Sequence, residues 1–234
     1  MNAALPSAAT LTVGAWSAPG FAPPDHPLFM FDDETGAPVC AGAHVVMERG
    51  TLARADTLLA AGARRVLLGE TALLDTALVQ EAIARFGAQR VGLWLPARRM
   101  EVSWSINRES NADFSFIMPT CPVPRWELLL ADGTGTGTDA AWFAREMARL
   151  GVEQLLLSLH QATEDDLGIC AELSEEIGDR LWLTFADAAG DPAEWIRDGG
   201  ARQLVVNADT CTAVELERLA AAVPTVAPTT TQDG

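Results

Sequence analysis

The sequence predicts an α/β chain folded as a parallel (βα)8, TIM-barrel-like domain with an irregular first βα unit and a β-hairpin insertion. Three observations carry the prediction: strand and helix patterns alternate from residue 44 onward, the strand patterns are short apolar runs of the kind buried on both faces, and the helix patterns start at recognisable caps. The densest instance is Thr51 to Gly92, TLARADTLLAAGARRVLLGETALLDTALVQEAIARFGAQRVG, which reads helix, strand, helix, strand with almost no spare residues. There, Leu58, Leu59 and Ala63 share one helical face, Gly62 supplies a stop, and Val66, Leu67 and Leu68 form a strand. Gly69 opens that strand's carboxyl end, where barrels place their ligands.

Strand patterns lie near Leu28–Asp32, His44–Glu48, Val66–Gly69, Arg90–Leu95, Glu127–Leu130, Gln154–Leu159, Leu181–Phe185 and Gln203–Asn207. Helix patterns lie near 51–61, 75–86, 139–150, 164–177, 191–198 and 212–222. Asp75, Thr138 or Asp139, Thr163, and Asp191 followed by Pro192 are the expected N-caps. Pro19, Pro23, Pro24 and Pro27 forbid a regular helix after the early strand pattern Leu11–Trp16, so the first unit is degenerate or replaced. Residues 100–117, MEVSWSINRESNADFSFI, alternate polar and apolar on each side of Asn107–Asn111, as in a β-hairpin. The register stays open: either Glu127–Leu130 is a barrel strand, or it belongs to a long insertion and Leu11–Trp16 supplies the missing one.

A chain of 234 residues, 49% hydrophobic, suits one domain, expected over 11–222, with flexible ends at 1–10 and 223–234, the latter rich in Pro and Thr. A net charge of -16 argues against nucleic acid and anionic membranes as partners. No apolar run reaches the roughly 18 residues needed to span a bilayer, and MNAALPSAAT lacks a signal peptide's pattern, so cytoplasmic residence is the expectation. Cys40, Cys121, Cys170 and Cys211 are scattered with no histidine at metal-ligand spacing, so reduced, mostly buried thiols and no metal or cofactor are expected. The chain contains neither lysine nor tyrosine, which excludes Schiff-base lysine chemistry and tyrosine acid catalysis. Any phosphate must then be held by arginine, backbone N–H groups, hydroxyls or a metal.

Residues 51–92 and 139–207 resemble the HisA/HisF superfamily of phosphoribosyl isomerase and imidazole glycerol phosphate cyclase. AGARRVLLGETAL is similar to that family's fourth strand, VGLWLPARR to its fifth, and FAREMARLGVEQLLLSLH to its fifth helix and sixth strand. The resemblance implies descent from a barrel handling sugar phosphates and a setting in cofactor or one-carbon metabolism; whether the chain forms a homo- or hetero-oligomer stays open. The departures fall on the chemistry. Trp94 stands where the family's fifth strand has an aspartate, and an indole cannot exchange a proton as a carboxylate does. His160 stands where the sixth strand often has aspartate. The paired-glycine phosphate loops after strands three and seven read MERG (47–50) and FADAAG (185–190), and Glu70 beside Gly69 and Thr71 would repel a phosphate.

His160 is the foremost catalytic candidate, since it ends an apolar strand at the rim and imidazole is the side chain suited to proton transfer. Asp32, with its neighbour Asp33, and Asp187 are strand-end carboxylates suited to acid or base work. Gly69, Thr71, Arg98, Arg99 and Trp94 are the candidate ligand-binding residues, the arginines to grip an anion and the indole to stack on a flat ring. DGTGTGTD (132–139) fits neither nucleotide-loop pattern and reads as a flexible loop, and Glu164–Asp166 reads as a helix's first turn rather than a metal cluster. Two functions are expected: an isomerase or lyase on a small phosphorylated or otherwise anionic metabolite, or a barrel without catalysis that serves as an assembly subunit. Intact histidine-pathway isomerase chemistry is not expected.

Overall fold

The structure is a computed structural model that describes residues 10–17, 26–33, 40–100, 104–105, 118–119, 124–187 and 191–224. Eight parallel strands close into a barrel: β1 (Thr12–Trp16), β2 (Leu28–Phe31), β3 (His44–Met47), β4 (Arg65–Leu68), β5 (Val91–Arg99), then β10 (Leu155–His160), β11 (Leu181–Phe185) and β12 (Gln203–Val206). Closure comes from Leu156 of β10 pairing with Trp94 of β5, and from Val13 of β1 pairing with Leu204 of β12. Leu11–Trp16 is therefore the barrel strand. Glu127–Leu130 belongs to the insertion, as β8 (Trp126–Leu129), which runs antiparallel to the far end of β5.

The insertion between β5 and β10 also contains β6 (Trp104–Ser105) and β7 (Met118–Pro119), an antiparallel pair consistent with the expected hairpin, whose turn lies outside the described residues. Where a flexible loop is expected, β9 (Gly135–Asp139) adds to β8. It is held by the neighbouring strand through one side-chain and one backbone donor: the Thr136 hydroxyl donates to Leu128 O at 2.9 Å, and Gly137 N–H donates to the Glu127 carboxylate at 3.2 Å.

All six expected helices form: α1 (Leu52–Ala60), α3 (Thr76–Phe86), α4 (Ala140–Arg149), α5 (Leu167–Ile177), α6 (Pro192–Arg197) and α7 (Ala213–Ala221). A short helix that the sequence did not predict, α2 (Glu70–Leu74), precedes α3. Asp75, Asp139 and Asp191 each accept a backbone N–H from the first turn of α3, α4 and α6, as N-caps do. Glu164–Asp166 is a turn of 3-10 helix closed by a Thr163–Asp166 capping box. The two ends at 1–9 and 225–234, and Pro19, Pro23 and Pro24, lie outside the described residues.

Strand alternation sorts the core into two shells. Val45, Val66, Leu93, Leu155, Leu157 and Leu204 pack against helix residues such as Leu58, Val79 and Phe143, forming the layer between strands and helices. The opposite parity, Phe29, Val46, Leu67, Trp94, Leu156 and Val205, packs with Trp16 and Trp182 and fills the barrel's interior. Aromatic rings that large need room. A Cβ on Gly14 would lie 2.7 Å from Phe29 Cε2, so the glycine on β1 lets the Phe29 ring sit in the barrel.

The amino-terminal floor is polar and closed. His44 Nδ1 and the Arg65 guanidinium both meet Gln154 Oε1, at 2.8 and 2.6 Å. Because Arg65 can only donate, that oxygen is an acceptor and His44 donates to it from Nδ1. Phe29 stacks on His44 with ring centroids 4.7 Å apart, and burial pushes the imidazole pKa from 6.5 down to about 4, opposed by the Gln154 bond.

Candidate functional site

The residues that close the interior at its carboxyl end leave a cavity of about 460 Å³ at the barrel mouth. One wall is aromatic. Trp16 and Phe31 lie parallel, 4.8 Å apart and tilted by 6°, and Phe31 meets Trp94 edge-on at 5.7 Å. Trp16 is fixed by its Nε1–H, which donates to Thr184 Oγ1 at 2.9 Å. The polar surface comes from Glu48, Ser158, His160, Thr184 and Asn207.

The roof is the β8–β9 turn, with Leu129, Leu130, Ala131 and Gly133 facing the cavity. It is tied to the rim by Glu70, whose carboxylate accepts Ala131 N–H at 2.8 Å and two bonds from Arg49 at 3.1 and 3.2 Å. Those donors, Arg49 first, hold the Glu70 carboxyl below the usual carboxylate range.

His160 lies on the cavity surface at the end of β10. The next residue, Gln161, has a left-handed backbone at φ 55°, unusual outside glycine, and its N–H donates to both Asp187 oxygens at 3.0 and 3.1 Å. Asp187 thus holds the turn behind His160 and is not itself among the cavity residues. Asp32 is also elsewhere: its carboxylate, 4% exposed, receives a two-pronged contact from Arg54 at 2.9 and 2.6 Å. The residues before them, Phe31 and Ala186, line the cavity, whereas the two carboxylates are turned to Arg54 and to Gln161 N–H.

The expected ligand-binding residues divide similarly. Trp94 lines the cavity, 5% exposed, with its Nε1–H unpartnered. Gly69 is the close-approach point that admits this indole, since a Cβ there would lie 3.0 Å from Trp94 Cε3 and 2.7 Å from Glu48 O. The Thr71 hydroxyl donates to Gly50 O at 3.1 Å and clips the turn after β3 to α2. Arg98 is bound to Glu127 at 3.0 and 3.1 Å, and Arg99 to Asp165 and Asp166. Neither arginine is among the cavity residues. Trp126, 1% exposed, is committed to the core, its Nε1–H donating to Asp166 at 3.2 Å.

Among the cavity residues that were not singled out from the sequence, Glu48 is the one with an ionisable side chain. The signal was there, because Val46 faces inward and a period of two puts Glu48 inward as well. Fifth strand and mouth together show what proton-transfer groups the cavity has. Trp94 and Pro96 are the β5 residues that reach it, so that strand supplies no carboxylate, and Glu48 and His160 are the titratable side chains on its surface among the described residues. Among the same residues no three His, Cys, Asp or Glu side chains gather as a metal site. Of the thiols, Cys170 is buried, with its pKa pushed up to about 12 by desolvation, whereas Cys40 is exposed and Cys211 half-buried.

The family model described as "Histidine biosynthesis protein" matches residues 44–181. The imidazole glycerol phosphate synthase subunit HisF of Thermosynechococcus vestitus is 32% identical over 136 residues, covering 57% of this chain and 42% of that protein. The same subunit of Dehalococcoides mccartyi is 26% identical over 163 residues, covering 69% of this chain and 54% of its own length. The chain thus aligns with about half the length of these relatives.

Proposed function

The chain belongs to the histidine biosynthesis protein family, and from that premise we propose that it binds a small phosphorylated or otherwise anionic metabolite at the barrel mouth without performing the histidine-pathway isomerase reaction. One observation carries the second half of the reading. The fifth strand presents Trp94 and Pro96 to the cavity where the resembled family has an aspartate, so the carboxylate of that pattern is missing, and the acid the cavity does hold, Glu48, comes from the turn after β3 instead. The first half rests on the cavity's place at the carboxyl ends of the strands and on the relatives, whose name specifies a phosphorylated imidazole compound. If the protein is an enzyme, isomerase or lyase chemistry centred on His160 is the form this cavity supports.

A second reading, a barrel that serves as an assembly or interaction subunit, is favoured by the roles of Asp32 and Asp187. Both carboxylates proposed for proton transfer hold other groups in place. The relatives are named as subunits. In neither reading is a membrane involved through a helix: no described helix is long and apolar enough to cross one.

A thermal-shift screen of sugar phosphates, pterins and other anionic metabolites separates the two. A ligand at 100 times its Kd adds about 2.7 kcal/mol to stability. A hit that His160→Ala weakens supports the metabolite reading, and a protein that responds to none of these compounds supports the subunit reading.

A further inference from the structure

We infer that the part of the ligand that enters the mouth cavity is a flat ring with a cationic or N–H donor edge turned toward Glu48, and that any anionic group of the same ligand stays outside these walls. The inference rests on the metabolite-binding reading above and specifies what the site selects.

Three independent observations lead to it. The first is charge. Among the described residues that line the cavity, Glu48 is the one that carries a fixed charge, and it is negative. It stands in the MERG turn after β3. A carboxylate there repels phosphate oxygens and accepts from ammonium, amidinium or ring N–H groups.

The second is the state of the arginines around the mouth. A chain without lysine has only arginine to offer as a permanent cation. Arg49 is taken by Glu70, Arg54 by Asp32, Arg98 by Glu127 and Arg99 by Asp165 and Asp166. Arg125 lies 3.7 Å from Asp139. Freeing any of these for a ligand anion would strand a carboxylate, two of which are nearly buried: Asp32 at 4% and Asp166 at 1% side-chain exposure.

The third is the shape of the apolar wall. Trp16 and Phe31 are parallel and Trp94 stands edge-on to Phe31, and Phe31 remains 43% exposed although it sits in a cavity. An exposed ring at the end of a stack is a surface for another flat ring, and electron-rich indole and phenyl faces favour a cationic or electron-poor one. A sugar phosphate lacks the flat face, and the charge it carries is one that Glu48 repels.

Three probes of one shape and different charge test this: benzamidine, benzamide and benzoate, titrated into the full chain by calorimetry at matched ionic strength. Benzamidine is expected to bind at least about fivefold more tightly than benzoate. Glu48→Gln, a change of an exposed side chain, should remove that preference, and Phe31→Ala should weaken all three probes. Benzoate binding as well as benzamidine, or a benzamidine preference that survives Glu48→Gln, overturns the inference. In either case a loss of affinity in Phe31→Ala still leaves the cavity as a binding site, so the metabolite reading stands apart from it. If no probe binds, the ring assignment fails, and the metabolite screen with His160→Ala judges the function alone.

Discussion

Acidification should destabilise this barrel through its floor. His44 is buried between Phe29 and Gln154, donates from Nδ1 to an amide oxygen that Arg65 also uses, and has its pKa lowered from 6.5 to about 4, chiefly by desolvation. In the unfolded chain the imidazole titrates near 6.5, so between pH 6.5 and 4 the unfolded state takes up a proton that the folded state refuses. The stabilising contribution is thus complete above pH 6.5, shrinks as pH falls through that value, and reaches its full loss below pH 4. A shift of about 2.5 units at 1.36 kcal/mol each amounts to about 3 kcal/mol, of which about 2 kcal/mol is lost by pH 5. The assay is urea unfolding at pH 7 and pH 5 for the wild type and for His44→Asn, which keeps an amide donor toward Gln154 but does not titrate. The wild type should lose about 2 kcal/mol more over that interval than the variant, the other two histidines being common to both. Equal losses would show that His44 titrates normally and that the floor is open to water.

Other expectations follow from the contacts around the mouth. Arg54→Ala leaves the buried Asp32 carboxylate without its two-pronged partner and should lower stability by about 1–3 kcal/mol in denaturant titrations, while Asp32→Asn should leave any ligand-induced thermal shift unchanged. Gly69→Ala drives a methyl to 2.7 Å from Glu48 O and 3.0 Å from the Trp94 ring, so a loss of about 2 kcal/mol and a shifted tryptophan emission are expected. Asp187→Ala removes the acceptor for Gln161 N–H and releases the turn behind His160. Its melting temperature should stay close to that of the wild type while its response to ligand falls, and an unchanged response would mean that Asp187 does not position His160.

The barrel was legible because its strands and helices repeat with little between them. Thr51 to Gly92 contains α1, β4, α2, α3 and the start of β5 almost end to end. The choice between Leu11–Trp16 and Glu127–Leu130 was not legible, because both are apolar runs of strand length, and only pairing with β12 distinguishes a barrel member from a strand added to the far end of β5. β9 was hidden by composition: GTGTD lacks apolar and bulky residues, and its strand geometry is imposed by Glu127 and Leu128 across the ladder. At the site, His160 and Trp94 were readable from strand-end position. Asp32 and Asp187 lie outside the cavity with their carboxylates turned to Arg54 and to Gln161 N–H, partners that a strand-end position does not reveal. Strand alternation followed from Val46 points to Glu48. No sequence pattern shows that Arg98 and Arg99 are occupied by Glu127, Asp165 and Asp166, since those pairs join residues about thirty to seventy positions apart.

The central claim, a family barrel whose mouth no longer performs histidine-pathway isomerase chemistry, is tested most directly by growth. Expressed in a bacterium that lacks its own isomerase, the chain should fail to restore growth without histidine, since loss of a positioned proton-transfer group alone lowers such a rate by roughly 10²–10⁴-fold. Robust rescue that His160→Ala or Asp32→Ala abolishes would contradict the account and show that the cavity carries out that reaction with a rearranged set of groups.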